Sequence, residues 1–166
     1  MKRDDLRGRR SNCPVNFAVE TIGDKWSLVI LRDMIFWGKR TYGELLRSDE
    51  KIATNILAGR LEYLENEGLV TKTPDPDDKR KEIYSVTERG LAMVPMFVEM
   101  IAWSACDPTW QSIAMNGTAT QRQIRFVQRA ATAKDKRKLS QEVKDAVRKG
   151  GSIFGGTPRP AIAAVL

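Results

Sequence analysis

The 166-residue chain contains no histidine and only two cysteines, Cys13 and Cys106. Without histidine there is no imidazole general acid or base, no Ser-His or Cys-His nucleophile pair, and little scope for a zinc site. Two cysteines so far apart fit neither a disulfide framework nor a metal-ligand spacing. Carboxylate or lysine chemistry would remain, but no such groups are paired convincingly. The expectation is a protein that is not an enzyme and uses no metal or cofactor. The chain also has no apolar run of about 18 residues, the length a membrane span needs. The opening "MKRDDLRGRR" has no apolar stretch behind it and does not read as a signal peptide, and the terminal "AIAAVL" is too short to anchor anything. A cytoplasmic location, away from any membrane, is expected.

Anions outnumber cations only in the middle of the chain. Net charge is +7, but residues 1–10 carry five cations and two anions, residues 117–166 eleven and three, and residues 11–116 twelve and sixteen. A mildly acidic centre meets a polyanion only where its cations cluster locally. The basic ends either bind phosphate without reading sequence or stand as solvated tails. Length suggests one domain with extensions, and chains of this size often complete their core by dimerising.

Local patterns give a mainly helical chain. "CPVNFAVETIG" has Pro14 early and Gly23 late, the asymmetry of a helix near 14–22. Asp24 can cap the next helix. "KWSLVILRDMIF" is apolar around most of its circumference, which marks a central, buried helix that "WGK" ends. Thr41 and Glu44 form a capping box, so "TYGELLRS" reads as a short helix over 41–47. In "IATNILAGRLEYLENEGL" the residues Ile56, Leu57, Leu61 and Leu64 follow helical spacing, and Gly68 ends the run. Two helices joined by a tight turn are the layout of a helix-turn-helix. "LVTKT" and "EIYSV" read as strands around the turn "PDPDDKRK", which makes a hairpin with a cationic tip. The sum is a winged helix-turn-helix, mainly α with a small two-stranded β-wing. From Thr87 a long helix is expected, kinked or restarted at Pro95. Leu91 to Trp103 is apolar on nearly all faces, and an intermolecular contact is the simplest cover. Residues 107–118 read as a loop, the following polar segment as one or two weak helices, and the chain beyond Gly150 as a flexible tail.

Taken in order, "CPV", "IGDKWSLVILRDM", "RTYGELLRS", "IATNILAGRLEYLENEGLV" and "PDPDDKRKEIYSVTERG" resemble the HxlR-type regulators, a branch of the MarR-like winged-helix transcription factors. The likeness runs from about Cys13 to Trp103. It implies a homodimer, formed through the N-terminal and late helices, that binds palindromic double-stranded DNA and regulates transcription. It also divides the chain into a basic arm over 1–12, a winged-helix domain over 13–106 and a basic extension over 107–166. The alternative is a winged-helix module for protein or RNA that does not read DNA sequence. The operator, the effector and the sign of regulation are not in the sequence.

Candidate contact residues follow from the projection. The second helix of a helix-turn-helix lies in the major groove with its N-terminal residues at base edges. With Ile56, Leu57, Leu61 and Leu64 set against the core, Asn55, Ala58, Gly59 and Glu62 fall opposite, and Thr54 lies at the margin. Asn pairs bidentately with adenine, Thr contacts a base edge or a thymine methyl, and the small Ala58 and Gly59 permit close approach. Glu62 suits phosphates poorly and belongs further out. Arg60 falls near the core side, where it either reaches a phosphate or pairs with an acid of a neighbouring helix; the resemblance adds it to the contacts. Arg40, before the capping box, is placed for backbone phosphate, and Thr41–Tyr42 for amide donation. On the wing the acids shape the turn. Asp78 can orient Arg80, making it the candidate for a minor groove, with Lys79 and Lys81 beside it. A solvated hairpin is the bland reading. Cys13 precedes a helix N-terminus near Arg9 and Arg10, surroundings that favour a thiolate. The resemblance makes it a candidate redox sensor, against a plain helix-start residue. Cys106 reads as packing.

Overall fold

A computed structural model describes residues 13–115 and 119–155. The expected arm over 1–12 and the last part of the tail lie outside the described residues. Helix α1 (Pro14–Ile22) begins at Pro14 and closes before Gly23. Helix α2 (Lys25–Arg32) is capped by Asp24, whose Oδ1 accepts from the amides of Trp26 and Ser27 at 3.0 Å each. It continues into a π-helical turn (Asp33–Trp37) that ends at Gly38, a residue with φ +69°. Helix α3 (Tyr42–Leu46) and helix α4 (Thr54–Asn66) form the helix-turn-helix. Strands β1 (Val70–Pro74) and β2 (Glu82–Val86) pair antiparallel, from Val70 opposite Val86 to Pro74 opposite Glu82. Gly68, with φ +67°, makes the left-handed exit from α4 that a side-chain-bearing residue would adopt only under strain. After the short α5 (Glu88–Leu91), capped by Thr87, the chain restarts as α6 (Val94–Ala105) with Pro95 in its first turn.

The core lies between α2, the π-helical turn, α4 and α6. Leu31, Ile35, Leu57, Leu64, Val94 and Val98 have no exposed surface. One buried charge sits among them. Asp33 is 1% exposed and accepts from Arg32 Nη2 at 2.6 Å, from Lys39 Nζ at 2.6 Å and from the Ser48 hydroxyl. Arg32 is held in turn by Glu50. This cluster joins the first residue of the π-helical turn, through Lys39 just beyond that turn, to Ser48 in the turn after α3. A buried carboxylate stripped of such partners is strongly destabilising, by about 3–5 kcal/mol.

Several expectations change beyond residue 106. The segment read as a loop is helix α7 (Pro108–Met115). Its start is fixed by Asp107, whose Oδ1 accepts from the Thr109 amide at 2.7 Å and the Trp110 amide at 3.3 Å. Two further helices follow, α8 (Gln121–Thr132), with a capping box from Thr120 and Gln123, and α9 (Arg137–Arg148). They are not loose. Phe126, Ala130, Leu139 and Val143 are buried against the core, and Lys136 Nζ reaches Glu99 of α6 at 2.8 Å. The cover expected for α6 from another molecule is thus supplied in part by the chain itself, and Met100 and Trp103 remain exposed. The stretch after Gly150 is not simply a tail either, for the Phe154 ring packs against Phe36, Trp37 and Phe126. Cys106, expected to pack, is exposed at the end of α6. No helix of the described residues is long and apolar enough to cross a membrane.

Phe126 is 4% exposed and meets Phe36 edge-on at 5.7 Å. Replacing it with alanine should therefore cost about 3–5 kcal/mol of unfolding free energy, the range for a large core side chain. Denaturant titration measures this; a cost near zero would mean that α8 is not part of the cooperative core.

Candidate nucleic-acid interface

The surface that could meet nucleic acid is assembled from α3, α4 and the hairpin. In α4, Leu57, Leu61 and Leu64 are buried, so the opposite face turns to solvent. Thr54, Asn55, Ala58, Gly59 and Glu62 are all exposed. A Cβ built on Gly59 would meet nothing within 4 Å, so this face is open. Ile56, expected against the core, is 37% exposed. It stands one residue, about 100°, from Leu57, on the flank of the helix rather than in the leucine stripe.

Arg60 takes the second of its two expected roles. Its Nε lies 3.3 Å from Asp24 Oδ1, and its guanidinium stacks over Tyr63 at 5.9 Å. The same carboxylate oxygen that caps α2 thus receives the arginine of α4. Arg60 is a strut between the two helices in this arrangement.

The turn between α3 and α4 is fixed by Tyr42, whose hydroxyl donates to the Thr54 carbonyl at 2.8 Å. Thr41 forms the expected capping box with Glu44. The amides of Arg40 and Thr41 do not point to an outside partner: both donate to Glu44 Oε2 at 2.9 Å. The segment also runs beside the hairpin, with the Tyr84 amide donating to the Arg40 carbonyl at 2.7 Å and Thr41 bridged to Ile83. Arg40 and Thr41 are therefore held as an extra edge of the wing. Sequence reasoning passed over Ala53, the N-cap of α4, which offers no side-chain acceptor to the first-turn amides. The missing Ser, Thr, Asn or Asp at that position is the available signal, because an uncapped helix start leaves donors for phosphate.

At the wing tip Asp75 and Asp78 shape the turn. The Asp75 amide donates to the Lys81 carbonyl at 2.8 Å, and the Asp77 amide to Asp75 Oδ1 at 2.8 Å. Asp78 accepts from Arg80 Nε at Oδ1, 3.0 Å, and from Nη2 at Oδ2, 3.2 Å, and Lys81 Nζ stands 3.4 Å from the same Oδ2. The Arg80 hydrogen bonds hold the Asp78 carboxyl below the usual carboxylate range. The Arg80 side chain is 89% exposed, so Asp78 aims it outward. Lys79 is exposed beside it. Cys13 is exposed at the N-cap of α1. Among the described residues no three His, Cys, Asp or Glu side chains gather as metal ligands.

Comparison with known proteins adds a family to this geometry. Residues 21–109 match the family model described as HxlR-like helix-turn-helix. Over 88 residues the chain is 33% identical to the HTH-type transcriptional regulator sll1512 of Synechocystis, covering 53% of this chain and 64% of that protein, just under two thirds of its length. It is 28% identical over 123 residues to the HTH-type transcriptional regulator YybR of Bacillus subtilis, covering 74% and 98%. A crystal structure described as a MarR-family transcriptional regulator from Porphyromonas gingivalis W83 aligns with TM-score 0.52 at 27% identity, over 58% of this chain and 94% of that one.

Asp24 serves two elements at once, so its loss should register in stability. Asp24→Ala should cost about 0.5–2 kcal/mol, the range for a lost N-cap, by urea unfolding. A neutral result would mean that neither the cap nor the Arg60 pair orders α2 against α4.

Proposed function

This chain belongs to the HxlR-like helix-turn-helix family, and from that premise we propose that it is a DNA-binding transcription regulator that acts in the cytoplasm as a homodimer on palindromic operator sites. The observation that carries the reading is the open face of α4, with Asn55, Ala58 and Gly59 exposed and nothing within 4 Å of where a Gly59 side chain would begin. A helix presented this way enters a major groove without steric conflict. Asn55 is the base reader, with Thr54 beside it, and Ala58 and Gly59 allow the approach. Arg40 and the α3 start lie along the backbone. Arg80, aimed outward by Asp78, enters the minor groove, and Lys79 and Lys81 meet phosphates on either side. Arg60 stays with Asp24 and supports the reader from behind. The action is binding, and no catalytic step is assigned.

The dimer is supported by apolar surface. On α1, Val15, Phe17 and Val19 are 69%, 46% and 56% exposed, and on α6 Met100 and Trp103 are 43% and 74% exposed. Large apolar groups exposed in such numbers on these two helices mark interaction surface more often than solvated surface. Cys13 stands at the head of α1. Thiol oxidation there, or a small molecule in the dimer interface, would alter the spacing of the two reading helices and so the affinity. The protein- or RNA-binding alternative has no use for a polar reader at Asn55.

Sedimentation at micromolar concentration should give a dimer, and a folded monomer would remove the two-fold operator from the account. Asn55→Ala should weaken binding to a selected operator by about 1–3 kcal/mol and leave random duplex nearly unchanged, as for one lost bidentate contact. Parallel titrations of the two DNAs measure it. Equal losses on both would take base reading away from Asn55, and no binding to any duplex would favour the alternative.

A further inference from the structure

The family match ends at residue 109, yet the chain beyond it reaches back to the edge of the proposed DNA surface. The point of return is the π-helical turn. Its last residues must leave the helix so that Arg40 and Thr41 can run beside β2. Arg40's amide, which helical continuation would give to the Phe36 carbonyl, goes instead to Glu44 Oε2 at 2.9 Å. That leaves the Phe36 carbonyl as an orphan acceptor at a helix end. The orphan is satisfied from far along the chain, because the Phe154 amide donates to it at 2.7 Å.

The Phe154 ring is fitted there as well. It stacks on Phe36 at 5.8 Å with 26° between planes, and meets Trp37 at 5.0 Å and Phe126 at 5.4 Å edge-on. Such aromatic pairs add stabilisation beyond simple burial. The backbone around it is close-set. Ser152 would lie 3.1 Å from a Cβ on Gly38, and a Cβ on Gly155 would strike the Trp37 carbonyl. The Ser152 hydroxyl accepts from the Gly155 amide at 2.9 Å and closes the strap on itself. Helix α9 anchors the strap from behind, with Arg148 donating to Glu88 at 2.8 Å and 2.7 Å.

We propose that Phe154 is a positioning residue for DNA binding: the strap Gly151–Gly155 clamps the exit from the π-helical turn and so holds Arg40 and Thr41 where they meet phosphate. The inference rests on the reading that Arg40 contacts the DNA backbone. Phe154 touches no DNA itself. When its ring is removed, the buried Phe36 ring loses its stacking partner and Trp37 its edge-on contact, so the backbone bond from residue 154 to the Phe36 carbonyl is no longer held in place by side-chain packing. The segment from Trp37 to Thr41 then samples other paths, and the phosphate contact is lost. The leucine stripe of α4 is untouched, so base reading persists. Phosphate contacts carry no sequence information, so the loss falls on operator and random DNA alike.

The test uses the full chain and three variants, Phe154→Ala, Phe154→Leu and Arg40→Ala, titrated with a random-sequence 30-base-pair duplex over a range of salt. Phe154→Ala should bind about tenfold or more weakly, the value of one hydrogen bond to a charged group. Its dependence of log K on log salt should flatten by about 0.9 for each chain of the dimer, as for one phosphate contact per chain. Arg40→Ala should do the same, and Phe154→Leu, which keeps the apolar fill, should lie between it and wild type. Amide exchange should quicken over 37–42 and stay unchanged over 54–66. A folded Phe154→Ala with wild-type affinity and salt slope would overturn the proposal and leave Phe154 as packing alone. If Phe154→Ala does not fold, Phe154→Leu decides on the same criteria. If Arg40→Ala itself binds as wild type, the phosphate reading fails, and the strap has nothing to position.

Discussion

Three leucines decide which side of α4 the world sees. Leu57, Leu61 and Leu64 are 0%, 2% and 0% exposed. Burying each contributes about 1.5–3 kcal/mol, so together they supply about 5–9 kcal/mol. That is comparable with the whole stability of an ordinary domain, about 5–15 kcal/mol. Turning α4 by a single residue would move the stripe by about 100° and forfeit most of it. The outward face is therefore fixed by the core, and Asn55 faces outward for the same reason that Leu57 faces inward. The DNA surface is a consequence of packing behind it.

The remaining contacts tune where that helix sits. Asp24 ties α4 to α2 through Arg60, Tyr42 ties α4 to α3, and buried Asp33 ties the turn after α3 to the end of the central helix through Lys39 and Ser48. Lys39 illustrates how position in sequence misleads about charge. It precedes Arg40, but its ammonium group is used at 2.6 Å from Asp33 and at 3.0 Å from Ser48. At the wing tip, by contrast, Asp78 orders Arg80 without covering it, and the guanidinium stays exposed.

Much of this was legible in the sequence because its signals are local. The Thr41–Glu44 box, the helical spacing of the leucines, Gly68 after α4 and the Pro-Asp turn each act within a few residues, and each appears where it was expected. The choice of Arg60's partner was left open until Asp24 came within 3.3 Å. The failures have physical causes too. Ile56 was assigned to the core because it is apolar and adjoins Leu57, although the core face of α4 is filled by the three leucines and leaves it on the flank. Helix α7 was read as a loop although Asp107 and Pro108 form an N-cap followed by proline at the first helical position. The role of the extension was out of reach, because Phe126 and Phe154 pack against Phe36, a residue separated from both by most of the chain. A polar, basic segment with sparse apolar anchors gives no sign that those few anchors complete a core.

The central claim is that two copies of α4 enter successive major grooves on one side of a duplex while the wings reach outside them. Footprinting of the chain on a selected operator tests it most directly. Dimethyl sulfate, which reports on guanine N7, should find protection in two major grooves about 10–10.5 base pairs apart, or a multiple of that spacing. Hydroxyl radicals should find minor-groove protection flanking them. Protection confined to a single groove, or spread evenly along the backbone with none at guanine N7, would contradict the account.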